Sequence, residues 1–407
     1  MSTDSPERSL SRRLASTLAA SMVGCIVAFA AGEVMMRLVA PPLFNHEMRI
    51  YDEELGWRSK PNLVHYRQVE GHGVRFETNE MGFRDRNQAR NRVVPGEEQL
   101  PIRRIQVYGD SFTESAQVEL HESYWSLLRD RLNARDDGSY WEVESLGVGD
   151  WGTTQEVLAY ERYGYPTDYV ILQVFPLNDI VNNSLAAANL ASSQDAYRPY
   201  LDPEDDYRSV TYVNPKTTWW RQHSRLARFV MQLATAISGP WGDEKLYPSL
   251  LERKKAADEF AKTYGIRGRQ PFASFLLNTF TVRPEQFDII KVGWDATDIA
   301  IRRFAKLAEG RGAELLVLVT PHNSQILPEV VDFKKNVPFN INRHYAEMRI
   351  RNLVEDLDHV TVIEMVKLFE DNRSVVLPFV QGHFNRPTHE LVADRLAQAI
   401  PEAAEGP

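Results

Sequence analysis

The residues of this chain with the most chemistry in them stand where apolar runs stop. Ser111 follows Ile105-Gln106-Val107-Tyr108-Gly109-Asp110, and Gly149 and Asp150 follow the run Trp141 to Val148. Asn178 follows Tyr169–Phe175 and a Pro176-Leu177 step, and His383 lies in the loop Phe379-Val380-Gln381-Gly382-His383. A serine held at a strand end is a nucleophile if a base reaches its hydroxyl. A neutral imidazole can take that proton and return it to a leaving group. Asparagine supplies an uncharged NH2 donor. Fixed donors of this kind stabilise a carbonyl oxygen as it gains charge, one of them contributing roughly 3 kcal/mol. Each residue alone also has a plainer reading. Ser111 after a glycine turn is a common helix N-cap, Asn178-Asp179 is a turn or cap, and a lone loop histidine is usually not catalytic.

The elements that must position these residues alternate along the chain. The β-prone run ending at Gly-Asp-Ser is followed by Tyr124, Leu127, Leu128 and Leu132 at helical spacing. Trp141 to Val148 reads as a second strand and Val157 to Tyr163 as a helix. Tyr169–Phe175 is nearly continuously apolar, as a strand buried on both faces is. Farther on, Val292 to Ala308 is an amphipathic helix, Glu314 to Pro321 a fourth buried strand and His344 to Leu357 a helix. Val360 to Met365 is a fifth strand and Leu391 to Ile400 a last helix. Alternating strands and helices predict the α/β class: a doubly wound parallel sheet flanked by helices. Ligands bind at the carboxyl ends of such strands.

Taken in order, these stretches resemble the sequence blocks of the SGNH (GDSL-type) hydrolase superfamily, over about residues 50 to 400. Gly109-Asp110-Ser111 is similar to block I. Gly147-Val148-Gly149-Asp150 with Gly152-Thr153 is similar to block II, Asn178-Asp179 to block III, and His383 with its flanks to block V. The resemblance implies a flavodoxin-like fold. It implies that Ser111 is the nucleophile and His383 the general base, then acid. The oxyanion donors would be the Ser111 N–H, the Asn178 side chain and a backbone N–H at Gly149 or Asp150. His389 matches a second family histidine and reads as structural. The resemblance requires no metal or organic cofactor.

Two departures from the pattern bear on function. The block II glycine falls on Asp150, whose backbone tolerates left-handed angles better than most but whose carboxylate would repel an oxyanion unless it points away. The triad acid is absent, because position 381 is glutamine and position 380 valine. Gln381 can accept an imidazole N–H through its carbonyl oxygen but cannot stabilise an imidazolium by charge. Three readings stay open: a Ser–His dyad, an acid supplied from elsewhere such as Glu370 or Asp371, or a weakened or inactive site.

At the N-terminus, Arg8, Arg12 and Arg13 precede an uncharged run from Leu14 to Gly32, close to the length a membrane-spanning helix needs. Basic residues on its near side place the N-terminus in the cytoplasm and the bulk outside. Val34-Met35-Met36 and Leu38-Val39 extend the run and favour an uncleaved anchor. The rival is a signal peptide cleaved at Ala28-Phe29-Ala30. The expected organisation is a cytoplasmic tail (1–13), an anchor (14–40), a β-rich collar and linker (41–100), the α/β domain (101–400) interrupted by an insertion (184–290), and a short tail (401–407). The collar reads as packing rather than as a ligand site. Trp219 and Trp220 in the insertion stack on sugars, touch the membrane interface or simply pack.

Composition narrows the rest. A net charge of −9 without a basic stripe excludes a general nucleic-acid binder. Cys25 is the single cysteine, so no internal disulfide and no cysteine metal site can form. The expectation is a single-pass protein of a bacterial inner membrane, its α/β domain facing the periplasm. It acts as an esterase or O-acyltransferase on acyl esters of cell-envelope or exported carbohydrate. The alternative is a non-catalytic envelope protein of the same fold that binds glycan or an assembly partner.

Overall fold

The computed structural model describes residues 6–39, 48–86, 100–191 without 136, 288–326 and 342–402 without 378, together with short pieces between 198 and 262. Helix α1 (Pro6–Val39) comes first. Its segment Ser16–Leu38 is long and apolar enough to be a membrane span or a signal sequence, and none of it is buried. Within it, the Glu33 carboxylate accepts hydrogen bonds from Ser224 Oγ (2.8 Å) and the N–H groups of Arg225 (3.1 Å) and Leu226 (3.0 Å).

Two antiparallel ribbons follow: β1 (Arg49–Asp52) with β2 (Gly56–Ser59), and β3 (Val64–Val69) with β4 (His72–Glu77). They form a collar against the main domain. Both carboxylate oxygens of Asp52 accept Arg162 Nη1 at 2.9 Å, and Leu55 O accepts Gln155 Nε2 at 2.7 Å. The indole of Trp57 donates to Gly149 O (3.3 Å), and that of Trp151 donates to Trp57 O (3.0 Å).

The main sheet contains β5 (Ile102–Gly109), β6 (Tyr140–Gly147), β7 (Tyr169–Val174), β10 (Glu314–Val319) and β11 (Val360–Glu364). All five pair in parallel in the order β11-β10-β7-β5-β6. Counted in chain order this is 2-1-3-4-5, the flavodoxin-like winding. Its strand order reverses between β5 and β7, where such sheets bind ligands. A separate short ribbon pairs β8 (Pro199–Leu201) with β9 (Val210–Tyr212).

Seven helices of the main domain matter for the site: α2 (Ser111–Glu114), α3 (Tyr124–Asn133), α4 (Thr153–Tyr163), α5 (Pro176–Asn182), α6 (Leu185–Ala191), α7 (Asp288–Gly310) and, near the C-terminus, Arg386–Ala399. Trp125, Leu128 and Leu132 of α3 and Val392 and Leu396 of the last helix cover one face of the sheet, on Ile105, Val107, Ile171 and Leu316. Tyr160 of α4 and Phe304 of α7, stacked with ring centroids 4.6 Å apart, cover the other on Tyr108, Val170 and Leu172. Fully burying each such side chain contributes about 1.5–3 kcal/mol.

Helix α4 begins four residues before the apolar spacing at Val157 announces it. Its first N–H groups are capped from a distance, Thr153 N by Asp179 Oδ1 (3.0 Å) and Thr154 N by Asn183 Oδ1 (2.8 Å). The last helix likewise starts at Arg386 rather than Leu391, with Asn385 Oδ1 accepting Thr388 N at 2.8 Å and proline in the first turn. Tyr345–Leu353 ends before Leu357. Of the insertion, Trp219, Trp220 and Pro240-Trp241-Gly242 lie outside the described residues.

Candidate active site

Strand β5 ends at Gly109 because nothing larger fits. A Cβ there would sit 2.2 Å from Thr113 Oγ1 and 2.6 Å from Gln173 Oε1. Gln173, the one polar residue of the buried β7, fixes this turn by accepting Asp110 N (3.2 Å) and Thr113 Oγ1 (3.2 Å). Asp110 caps α2, its Oδ1 accepting Phe112 N at 2.9 Å. The N-cap is therefore Asp110 and not Ser111, and the Ser111 side chain is left to other work. Its Oγ lies 2.7 Å from His383 Nε2.

His383 is presented by a two-residue hairpin turn. Val380 and His383 exchange backbone hydrogen bonds of 2.9 Å each way, and Gln381 and Gly382 both take positive φ, 50° and 81°. That pattern is a type I′ turn. It brings the Gln381 backbone carbonyl to 3.0 Å from His383 Nδ1. A carbonyl oxygen only accepts, so Nδ1 carries the proton and Nε2 is the acceptor facing Ser111. This corrects the expectation for Gln381: the main-chain carbonyl, not the side-chain amide, orients the imidazole. Neither proposed substitute acid is there. Glu370 pairs with Arg343 and Asp371 with Lys367. Burial pushes the His383 pKa below its ordinary value. The Gln381 carbonyl and the charges of Glu114 and Asp150 pull it up, and Arg67 pushes it down.

The second loop bears its donors as a turn. Trp151 N bonds Val148 O at 3.2 Å, and Asp150 takes φ 64°, the left-handed position that aspartate tolerates. Its carboxylate does point away: the side chain is 67% exposed and 3.5 Å from Arg49 Nη1. Among the described residues the N–H groups of Ser111, Gly149 and Asp150 have no hydrogen-bond partner.

Asn178, in the first turn of α5, donates one N–H of its amide to Asp110 Oδ2 at 2.7 Å. Its second N–H is uncommitted, and its Oδ1 is buried without a partner. Burial pushes the Asp110 carboxyl up to about 7, against the bonds from Phe112 and Asn178. His389 accepts Tyr124 N at 3.2 Å through Nδ1 and is held neutral by burial, its pKa near 3.

Ser111 and His383 open onto a cavity of about 170 Å³ with Gly149 and Asp150 on its rim. The remaining lining includes Glu114 and Gln117 of the main domain and Met48, Arg49, Ser59 and Arg67 of the collar. The collar therefore lines this cavity as well as packing against the main domain. Only the fold juxtaposes Arg67 and Ser111. Arg84, fully buried, ties the β3–β4 ribbon to the chain after the nucleophile: it donates to Arg75 O (3.5 Å) and lies over the Phe76 ring on one side, and donates to the backbone carbonyls of Glu114 (3.1 Å), Ser115 and Val118 (2.6 Å) on the other. Among the described residues no group of three His, Cys, Asp or Glu could hold a metal ion.

No protein-family model matches the chain, and no curated protein does. Solved structures similar to it include a psychrotrophic esterase from Pseudoalteromonas sp., at 9% identity over 72% of this chain and 94% of that one, with a TM-score of 0.31. An acetyl xylan esterase matches at 12% identity over 73% and 100%, with a TM-score of 0.34. A catalytic mutant of an acetylxylan esterase from Geobacillus stearothermophilus matches at 8% identity over 73% and 93%, with a TM-score of 0.36. Likeness at this level assigns no activity to this chain.

Proposed function

We propose that this protein is a serine esterase, or the related O-acyltransferase, that works through a Ser111–His383 dyad. The observation that carries this reading is the 2.7 Å contact between Ser111 Oγ and His383 Nε2, with Nδ1 backed by a carbonyl at 3.0 Å. His383 Nε2 takes the Ser111 proton as Oγ attacks the acyl carbon. The oxyanion forms against the N–H groups of Ser111 and Gly149 or Asp150 and the second N–H of the Asn178 amide. The imidazolium returns its proton to the leaving alcohol, which departs and leaves an acyl-serine. Water, or a sugar hydroxyl in a transferase, then attacks the acyl carbon with His383 as base; the acyl–Oγ bond breaks and the imidazolium returns the proton to Ser111 Oγ. The α1 segment serves as an uncleaved anchor that holds the domain on the periplasmic side of a bacterial inner membrane. The substrates are acyl esters, acetyl foremost, of cell-envelope or exported carbohydrate, in line with the resemblance to anchored SGNH proteins. Full-length protein in detergent is expected to be labelled at Ser111 by a serine-directed phosphonate, located by peptide mass spectrometry and absent in Ser111→Ala; a folded sample that takes no label contradicts the reading.

The neutral partner at Nδ1 favours a second reading. An imidazolium without an acidic neighbour is less stable, and the site then serves to bind glycan or an assembly partner. Glycan binding unchanged in Ser111→Ala, with no Ser111-dependent turnover, would select it.

A further inference from the structure

Two arginines of the collar line the cavity beside the nucleophile, and their situations differ. Arg49 faces Asp150. The side chain of Arg67, half-buried on β3, makes no hydrogen bond or ion pair among the described residues. A partly desolvated guanidinium without a partner is an unspent anion site, because its planar fork matches a carboxylate bidentately. Its charge is also felt at His383, whose imidazolium it disfavours. Gln117 lines the same cavity, 9% exposed, with its Oε1 buried and unpartnered. That oxygen lacks a donor such as a hydroxyl. The Glu114 carboxylate in the same lining disfavours a phosphate dianion more than a singly charged anion.

Resting on the esterase reading, we infer that the substrate is an O-acylated sugar acid whose carboxylate docks on Arg67 close to the scissile ester. The docked carboxylate neutralises Arg67 and so removes its repulsion of the imidazolium that forms during acylation. Its effect therefore falls on kcat as well as KM. The charge that a triad acid supplies from the protein is here supplied in part by the substrate.

The test uses full-length protein in detergent and two acetate esters alike except in charge, 4-acetoxybenzoate and 4-acetoxybenzamide, with wild type, Arg67→Gln, Arg67→Lys and Ser111→Ala. The expected result is a kcat/KM ratio favouring the benzoate by about tenfold or more, the scale of one charge-assisted contact. It falls to near one in Arg67→Gln and is partly kept in Arg67→Lys. Ser111-dependent hydrolysis of both esters with the same ratio in wild type and Arg67→Gln overturns the inference and leaves the esterase reading standing. If neither ester is hydrolysed, the esterase reading is at fault, and D-glucuronate titrated onto the protein decides the anion site. Binding weakened about tenfold in Arg67→Gln upholds it; equal or undetectable binding in both overturns it.

Discussion

On the sheet side of the cavity, Ser111 is fixed by close packing. Gly109 has no room for a Cβ, Gln173 pins the turn, and Asp110 caps the helix that follows. Across the cavity, His383 and Arg67 come from small two-stranded pieces outside the sheet: a two-residue turn backed by one carbonyl, and a ribbon tied to Arg84 through Arg75 O. The strand end sets the position of the nucleophile. The turn and the collar set protonation and charge. A mutation on the first side should act mainly through stability, and one on the second mainly through the rate and its pH dependence.

The largest effect expected is Ser111→Ala, with Ser111-dependent ester hydrolysis down at least about a thousandfold and the thermal midpoint unchanged. Gly109→Ala tests the sheet side itself. A Cβ 2.2 Å from Thr113 Oγ1 forces the turn apart, with a loss of about 1–3 kcal/mol by denaturant titration; an unaffected midpoint would mean the turn has slack. Arg84→Met removes the donor from three carbonyls behind the nucleophile and leaves them without their partner, a loss of about 1–3 kcal/mol. Activity should fall alongside it, because the collar is then free to leave the cavity.

The pH dependence of kcat/KM sharpens the comparison further. His383 must be neutral to accept the Ser111 proton, so activity is lost as pH falls through its pKa. Burial lowers that pKa, so the acid limb lies below the ordinary histidine value of about 6.5. A limb above that value would place an unrecognised acid beside Nδ1.

The sheet strands were legible because buried parallel strands are apolar runs, and Ser111, Asn178 and His383 because each follows or flanks a motif in a recognisable order. Three things were not. The start of α4 depends on caps from Asp179 and Asn183, which adjoin it only in three dimensions. Arg67 lies 44 residues before Ser111 in the chain, and no local pattern ties a collar arginine to a strand end. The partner of His383 was sought among side chains, whereas the signal was Gly382 after Gln381, a pair compatible with a turn of positive φ whose main-chain carbonyl does the work.

The smallest expected effect is the most direct test of that last point. We would measure p-nitrophenyl acetate hydrolysis by full-length wild type and Gln381→Gly from pH 5 to 9, subtracting the Ser111→Ala background. Glycine adopts positive φ without strain and keeps the carbonyl. The account predicts a rate within about threefold of wild type and an unchanged acid limb. A hundredfold loss would show that the Gln381 side chain holds the imidazole and would contradict its orientation by the main-chain carbonyl.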